Sequence, residues 1–158
     1  MLVVYGIRSQ SNGMNTAPTR PGEGKKEGTP PLPVAILLCD QVITESNTGK
    51  KSLIGVFDRI AANSFPIVHG RAAIYIRMAD AEGSYDVEIQ YVKVCTQDVL
   101  NQATGRVEAH GIDRYRETDF AIPIGAIEIP EPGEYEFRVL LNGRFFQRAR
   151  FTAEKLQA

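Results

Sequence analysis

Two histidines, two cysteines and a scatter of carboxylates are the side chains of this chain that could do chemistry. His69 follows Ile67-Val68 beside Gly70, and His110 lies in Val107-Glu108-Ala109-His110-Gly111. A histidine-based zinc site needs further close ligands, and neither His has a Cys or a second His at ligand spacing. Cys39 and Cys95 sit in apolar stretches, Leu38-Cys39-Asp40 and Val94-Cys95-Thr96, which predicts buried free thiols rather than activated nucleophiles. Lying 56 positions apart, they form no disulfide scaffold, although one bridge between two strands stays open. The elbow Gly-x-Ser-x-Gly of serine hydrolases is absent. Asp40, Asp58, Asp113, Glu117 and Asp119 supply carboxylates, but Arg114 and Arg116 interleave the last three into a solvated, ion-paired loop. The best oxygen-rich turn is Asp80-Ala81-Glu82-Gly83-Ser84-Tyr85-Asp86. Its Asp80, Glu82 and Asp86 are weak candidates for Ca²⁺, because a calcium site on a β-sandwich draws carboxylates from at least two loops and one is visible. No resident metal and no cofactor are expected.

The terminal hairpin offers a different kind of site. Glu134–Leu140 and Arg144–Thr152 alternate apolar and polar residues. A three-residue Leu141-Asn142-Gly143 loop with Gly143 left-handed keeps their faces in phase. That register points Tyr135, Phe137 and Val139 inward, together with Phe145, Gln147, Ala149 and Phe151. Outside, it sets Glu136 against Arg148, Glu134 against Arg150 and Arg138 against Phe146. Arg144, Phe146, Arg148 and Arg150 then form a candidate partner surface, since exposed arginine beside an aromatic is the composition of interface hot spots. The plainer reading is a charged ladder that sets register and solubility.

All these residues must be carried by strands. From Pro33 onward, period-2 alternation and turn residues recur at short spacing, with no helical stripe. Strands are predicted over Val34–Thr44, Ser52–Ile60, Gly70–Ala79 and Ser84–Val94, the last with a bulge near Tyr91-Val92. Val99–Ala103 and Arg106–Ile112 read as a hairpin turning at Thr104-Gly105. Phe120, Ile122 and Ile124 alternate around Pro123, which demotes that stretch to a sheet edge. A turn near Arg59–Asn63 and a frayed Ala153–Gln157 are the only helix candidates. Eight or nine strands without helices predict an all-β fold, two packed antiparallel sheets in a sandwich.

Leu38-Cys39-Asp40, then Ser52-Leu53-Ile54-Gly55-Val56-Phe57-Asp58, then Phe65-Pro66 resemble an uncharacterised family of small bacterial β-sandwich proteins. The ending Pro132-Gly133-Glu134-Tyr135-Glu136-Phe137, followed by Asn142-Gly143, fits the same family, and the likeness covers roughly residues 34 to 152. The resemblance implies an immunoglobulin-like sandwich of bacterial origin and implies no activity.

The 158 residues suffice for one domain with a core. Residues 8 to 33 contain only Met14, Ala17 and Leu32 as apolar side chains, so 1–33 reads as a flexible tail and linker and 34–158 as the folded domain. Leu2-Val3-Val4-Tyr5 could pair with a sheet edge from the end of that tether, unless Met14 is the natural start. Lys plus Arg number 18 and Asp plus Glu 19, a near-balance that argues against a nucleic-acid partner. No apolar run reaches the roughly 18 residues of a membrane helix, and the start is a poor signal peptide, which makes the cytoplasm the expected location. The leading expectation is a non-enzymatic module that meets another protein, or another copy, through a sheet edge or face. The alternatives are an enzyme whose acid/base residues converge only in the fold and a calcium-dependent membrane or ligand binder.

Overall fold

The computed structural model describes residues 30–109 and 117–157. They form nine strands and no helix: β1 Leu32–Thr44, β2 Lys51–Val56, β3 Arg59–Ala62, β4 Ile67–Ala79, β5 Gly83–Lys93, β6 Asp98–Ala109, β7 Thr118–Ile129, β8 Gly133–Leu141 and β9 Arg144–Lys155. They make a two-sheet sandwich, with order β2-β1-β4-β7 in one layer and β3-β9-β8-β5-β6 in the other. The all-β expectation holds, with one parallel pair, β3 on β9, in an otherwise antiparallel structure.

Alternation builds the core. Ala72, Ile74, Ile76 and Met78 of β4 face Tyr85, Val87, Ile89 and Tyr91 of β5, and Tyr135, Phe137, Val139, Ala149 and Phe151 complete the interior. Tyr91, Tyr135, Phe137 and Phe151 stack, with ring centroids 4.9–6.3 Å apart across the observed pairs. Both phenols of this stack find a backbone carbonyl: Tyr91 donates to Glu128 at 3.1 Å and Tyr135 to Glu131 at 2.7 Å. Burial pushes the Tyr91 hydroxyl well above its ordinary pKa.

Several expected elements are redrawn. The strand expected over Ser52–Ile60 is two strands, because the chain changes sheets at Phe57-Asp58. Phe57 donates its N–H to Leu38 of β1, and Asp58 accepts from Thr152 of β9. The helix candidates at Arg59–Asn63 and Ala153–Gln157 are therefore mostly strand, held by the β3–β9 ladder. Thr104-Gly105 does not turn, so β6 runs straight through it against β5, with the ladder unbroken from Asn101 to Ala109. The bulge at Tyr91/Val92 is present, and its extra residue is Leu100 on the facing strand. β7 lies at a sheet edge as Pro123 requires. β1 begins at Leu32 rather than Val34, with Leu32 paired to Ala79. The ion-paired loop expected at 113–119 falls partly outside the described residues, and Asp119 belongs to β7 instead.

The terminal hairpin differs most instructively. Leu141 pairs with Arg144, so the loop is the two residues Asn142-Gly143, with φ of 50° and 78°. Such a type I′ turn suits the twist of a hairpin. Parity is restored by a bulge in β9: Leu140 faces Phe145, whereas Val139 faces Gln147, leaving Phe146 as the extra residue. Phe146 consequently packs against the core, and Phe145 is the ring left 59% exposed. The inward placement expected for Phe145 and the outward placement of Phe146 are thus exchanged.

Candidate functional site

A sandwich has four sheet edges, and edges must be guarded against unwanted pairing. β3 is only four residues long. β2 has six residues and a left-handed Gly55 at φ 65°. β7 is interrupted by Pro123, by Gly125 at φ 82° and by two register shifts against β4. β6 carries one of these guards, the bulge at Leu100 near its start, and runs in unbroken register from Asn101 to Ala109. It spans twelve residues, contains no proline and has only β5 as neighbour among the described residues. From Val99 to Gly105 it reads Val-Leu-Asn-Gln-Ala-Thr-Gly, without a charge. Val99 and Leu100 are 46% and 41% exposed.

Beside this edge the sandwich is open. A cleft of about 470 Å³ lies between β6 and β7. Ile89, Tyr91 and Phe137 line it from the sheet of β6, and Ile122, Ile124 and Ile127 from β7. Its origin is visible in the ladder: Asn101, Ala103 and Gly105 of β6 stand opposite Tyr91, Ile89 and Val87, whose side chains face the core. Three small residues at inward positions leave the space that larger ones would fill. The cleft is mainly apolar, with Asn101, Gln102 and Glu128 as its polar members. Sequence reasoning missed this site, although the uncharged run between Asp98 and Arg106 was a readable signal.

The residues singled out from sequence lie elsewhere. Arg148 and Arg150 stand on the outer face of the five-stranded sheet around Glu136, which is fully buried. Arg138 Nε and Arg150 Nε donate to the two carboxylate oxygens at 2.5 Å and 2.9 Å, and Arg148 lies 3.8 Å away. Arg138 and Arg148 face each other directly in the ladder, a like-charge pairing that the shared carboxylate offsets. Burial alone would raise the Glu136 pKa, but the hydrogen bonds and charges of Arg150 and Arg138 hold it below the ordinary glutamate value. Arg144 is exposed at the turn, and Phe146 is partly buried against the core, so the expected arginine–aromatic patch loses its exposed ring.

The calcium candidates sit in the β4–β5 turn and early in β5. Asp80 takes a left-handed backbone at φ 55°, Glu82 donates its N–H to the Tyr85 hydroxyl, and Asp86 of β5 donates its N–H to Asn142 Oδ1 and accepts at its carbonyl from the Asn142 N–H. Among the described residues no three His, Cys, Asp or Glu side chains are placed to hold a metal ion. His69 Nε2 meets Asp40 Oδ1 at 2.8 Å, with the Phe57 ring 5.1 Å away, a pairing that no sequence spacing announced. His110 lies outside the described residues. Cys39 is buried and Cys95 exposed, both as free thiols. The expectation of two buried thiols fails for Cys95 because it stands past the end of β5, in the turn to β6.

No curated protein matches the chain. The family model that does match covers residues 34–154, from early in β1 to the penultimate residue of β9, and by it the chain belongs to DUF6941, a family of unknown function.

Proposed function

We propose that this domain is a strand-accepting interaction module, in which β6 and the adjoining cleft take up an extended segment of a partner polypeptide. The observation that carries this reading is the β6 edge, twelve residues long with a single bulge near its start, beside an apolar cleft. Edge N–H and C=O groups supply affinity in such complexes, and pockets for alternate side chains supply selectivity. The partner chemistry follows: an extended, uncharged stretch, with apolar side chains at alternate positions that enter between Leu100 and Ile122. The immunoglobulin-like kinship expected from the resemblance belongs to this reading.

A photoreactive residue at Gln102 tests it. The cross-linked partner, purified and added back, is expected to slow exchange of those β6 amides that point away from β5. Ala103→Lys sets a charge at an inward edge position and is expected to abolish binding while leaving the β-sheet circular dichroism intact. Protection confined to the arginine face, with binding lost in Arg148→Ala and kept in Ala103→Lys, overturns the β6 assignment in favour of the outer surface.

A further inference from the structure

We propose that the β1–β2 hairpin is a hinged flap, folded back over the outer face of the four-stranded sheet and able to open without unfolding the sandwich.

Four observations place it there. β1 pairs with β4 only as far as Cys39, although both strands continue, so residues 41–44 and 51–54 have no second neighbour in the sheet. Lys51 pairs with Thr44, whereas Asp119 lies level with Arg77 and Ala35. The nine residue steps of β1 from Ala35 to Thr44 span about 30 Å when extended, far beyond a lysine's reach. Yet Lys51 Nζ and Asp119 Oδ1 are 2.5 Å apart. Only a hairpin turned back across the sheet satisfies both. The flap has a covered side, since Val42, Leu53 and Lys51 are partly buried while Ile43 and Ile54 are exposed. Finally, Cys39, Ala73 and Tyr75 point away from the core and are nonetheless 0%, 6% and 8% exposed. Something covers the outer face where they stand, and the hairpin is in position to do so.

The hinge is as well marked as the cover. The β1–β2 ladder skips the pair Asp40 and Gly55. Gly55 has φ 65°, and the Asp40 carboxylate occupies the place a Cβ would take. A glycine there lets the strand bend where any other residue clashes. The hinge is braced from β4 by His69 on Asp40 and by Arg71, whose guanidinium donates to Gln41 Oε1 at 3.0 Å. The free end is latched by Lys51 on Asp119, which also accepts from the Tyr75 hydroxyl at 3.0 Å. A short hairpin whose ties beyond the hinge are one ion pair and one partly buried side is the kind of unit that opens locally, below the cost of global unfolding. Opening bares Cys39, Ala73 and Tyr75 beside Leu37, which is already 41% exposed.

Cys39 reports the motion directly. In full-length protein carrying Cys95→Ser, its reaction with a thiol reagent is measured against denaturant, with sheet circular dichroism reporting global unfolding. Local opening predicts labelling that depends only weakly on denaturant at low concentrations. Lys51→Met removes the latch charge while keeping an apolar stem, and is expected to speed labelling three- to tenfold with a melting midpoint within a few degrees. A Cys39 rate that follows the denaturant dependence of global unfolding overturns the proposal. So does an equal rate with and without Lys51→Met.

Discussion

Glu136 is the residue on which the outer face of the five-stranded sheet turns. Its carboxylate is buried beneath Arg138, Arg148 and Arg150. Removing one partner of a buried ionic cluster leaves charge uncompensated, so Glu136→Gln is expected to cost about 2–5 kcal/mol in denaturant melts. Its pH dependence has a definite sign. The folded-state pKa lies below the unfolded value, so the stabilisation is fully present above the ordinary glutamate range and is lost as pH falls through the lowered folded value. The stability gap between wild type and Glu136→Gln should therefore close on acidification below pH about 4, as read from melts at stepped pH. The two thiols make a second expectation at this scale. Cys95 should react with a thiol reagent within the mixing time of a manual assay, and Cys39, buried and with its thiol pKa raised by that burial, should lag far behind it in the native protein. Two fast thiols would contradict the burial of Cys39.

At the scale of elements, Gly55 carries the sharpest expectation. An alanine there must adopt φ near 65° and meet the Asp40 carboxylate, so Gly55→Ala should lower stability by about 1–3 kcal/mol, whereas Gly49→Ala, with open space around it, should cost less. Equal losses at the two positions would remove the hinge from Gly55. The strands themselves were largely legible, because apolar alternation in β4, β5 and β8 declares both the element and its inward face. What was not legible involved one residue changing the phase of everything beyond it. Asn142-Gly143 is a strong two-residue hairpin signal, but the alternation of β8 and β9 favours a three-residue loop, because a bulge at Phe146 cannot be told from a longer turn by pattern alone. Thr104-Gly105 looks like a turn and lies within β6, where strand pairing to β5 overrides local preference. The cleft beside β6 was illegible for another reason. A cleft is set by which small side chains come opposite which large ones, and Ala103 acquires its meaning only when it faces Ile89 across the ladder.

For the whole molecule, the first described strand sets the boundary. β1 starts at Leu32, and Pro31 before it is buried, so a chain beginning at Pro30 should melt within a few degrees of the full sequence, while one beginning at Pro33 loses the Leu32–Ala79 pair and should melt lower. A large drop already at Pro30 would show that the preceding residues, Leu2–Tyr5 among them, contribute to the fold; those residues lie outside the described ones. The sandwich also has unequal sides. Phe57-Asp58 carries the chain from the β2 edge of one sheet straight to the β3 edge of the other, which joins the two layers edge to edge along that margin like pages at a spine. The cleft between β6 and β7 is the fore-edge, where the layers part around about 470 Å³ of space. Hydrostatic pressure acts on that difference, because compression drives water between loosely packed apolar side chains, and the apolar surface already open to water lies along one margin. Under pressure the book should take up water from its open margin inward, with methyl resonances of Leu100, Ile122 and Ile124 shifting at lower pressure than that of Leu38 near the binding.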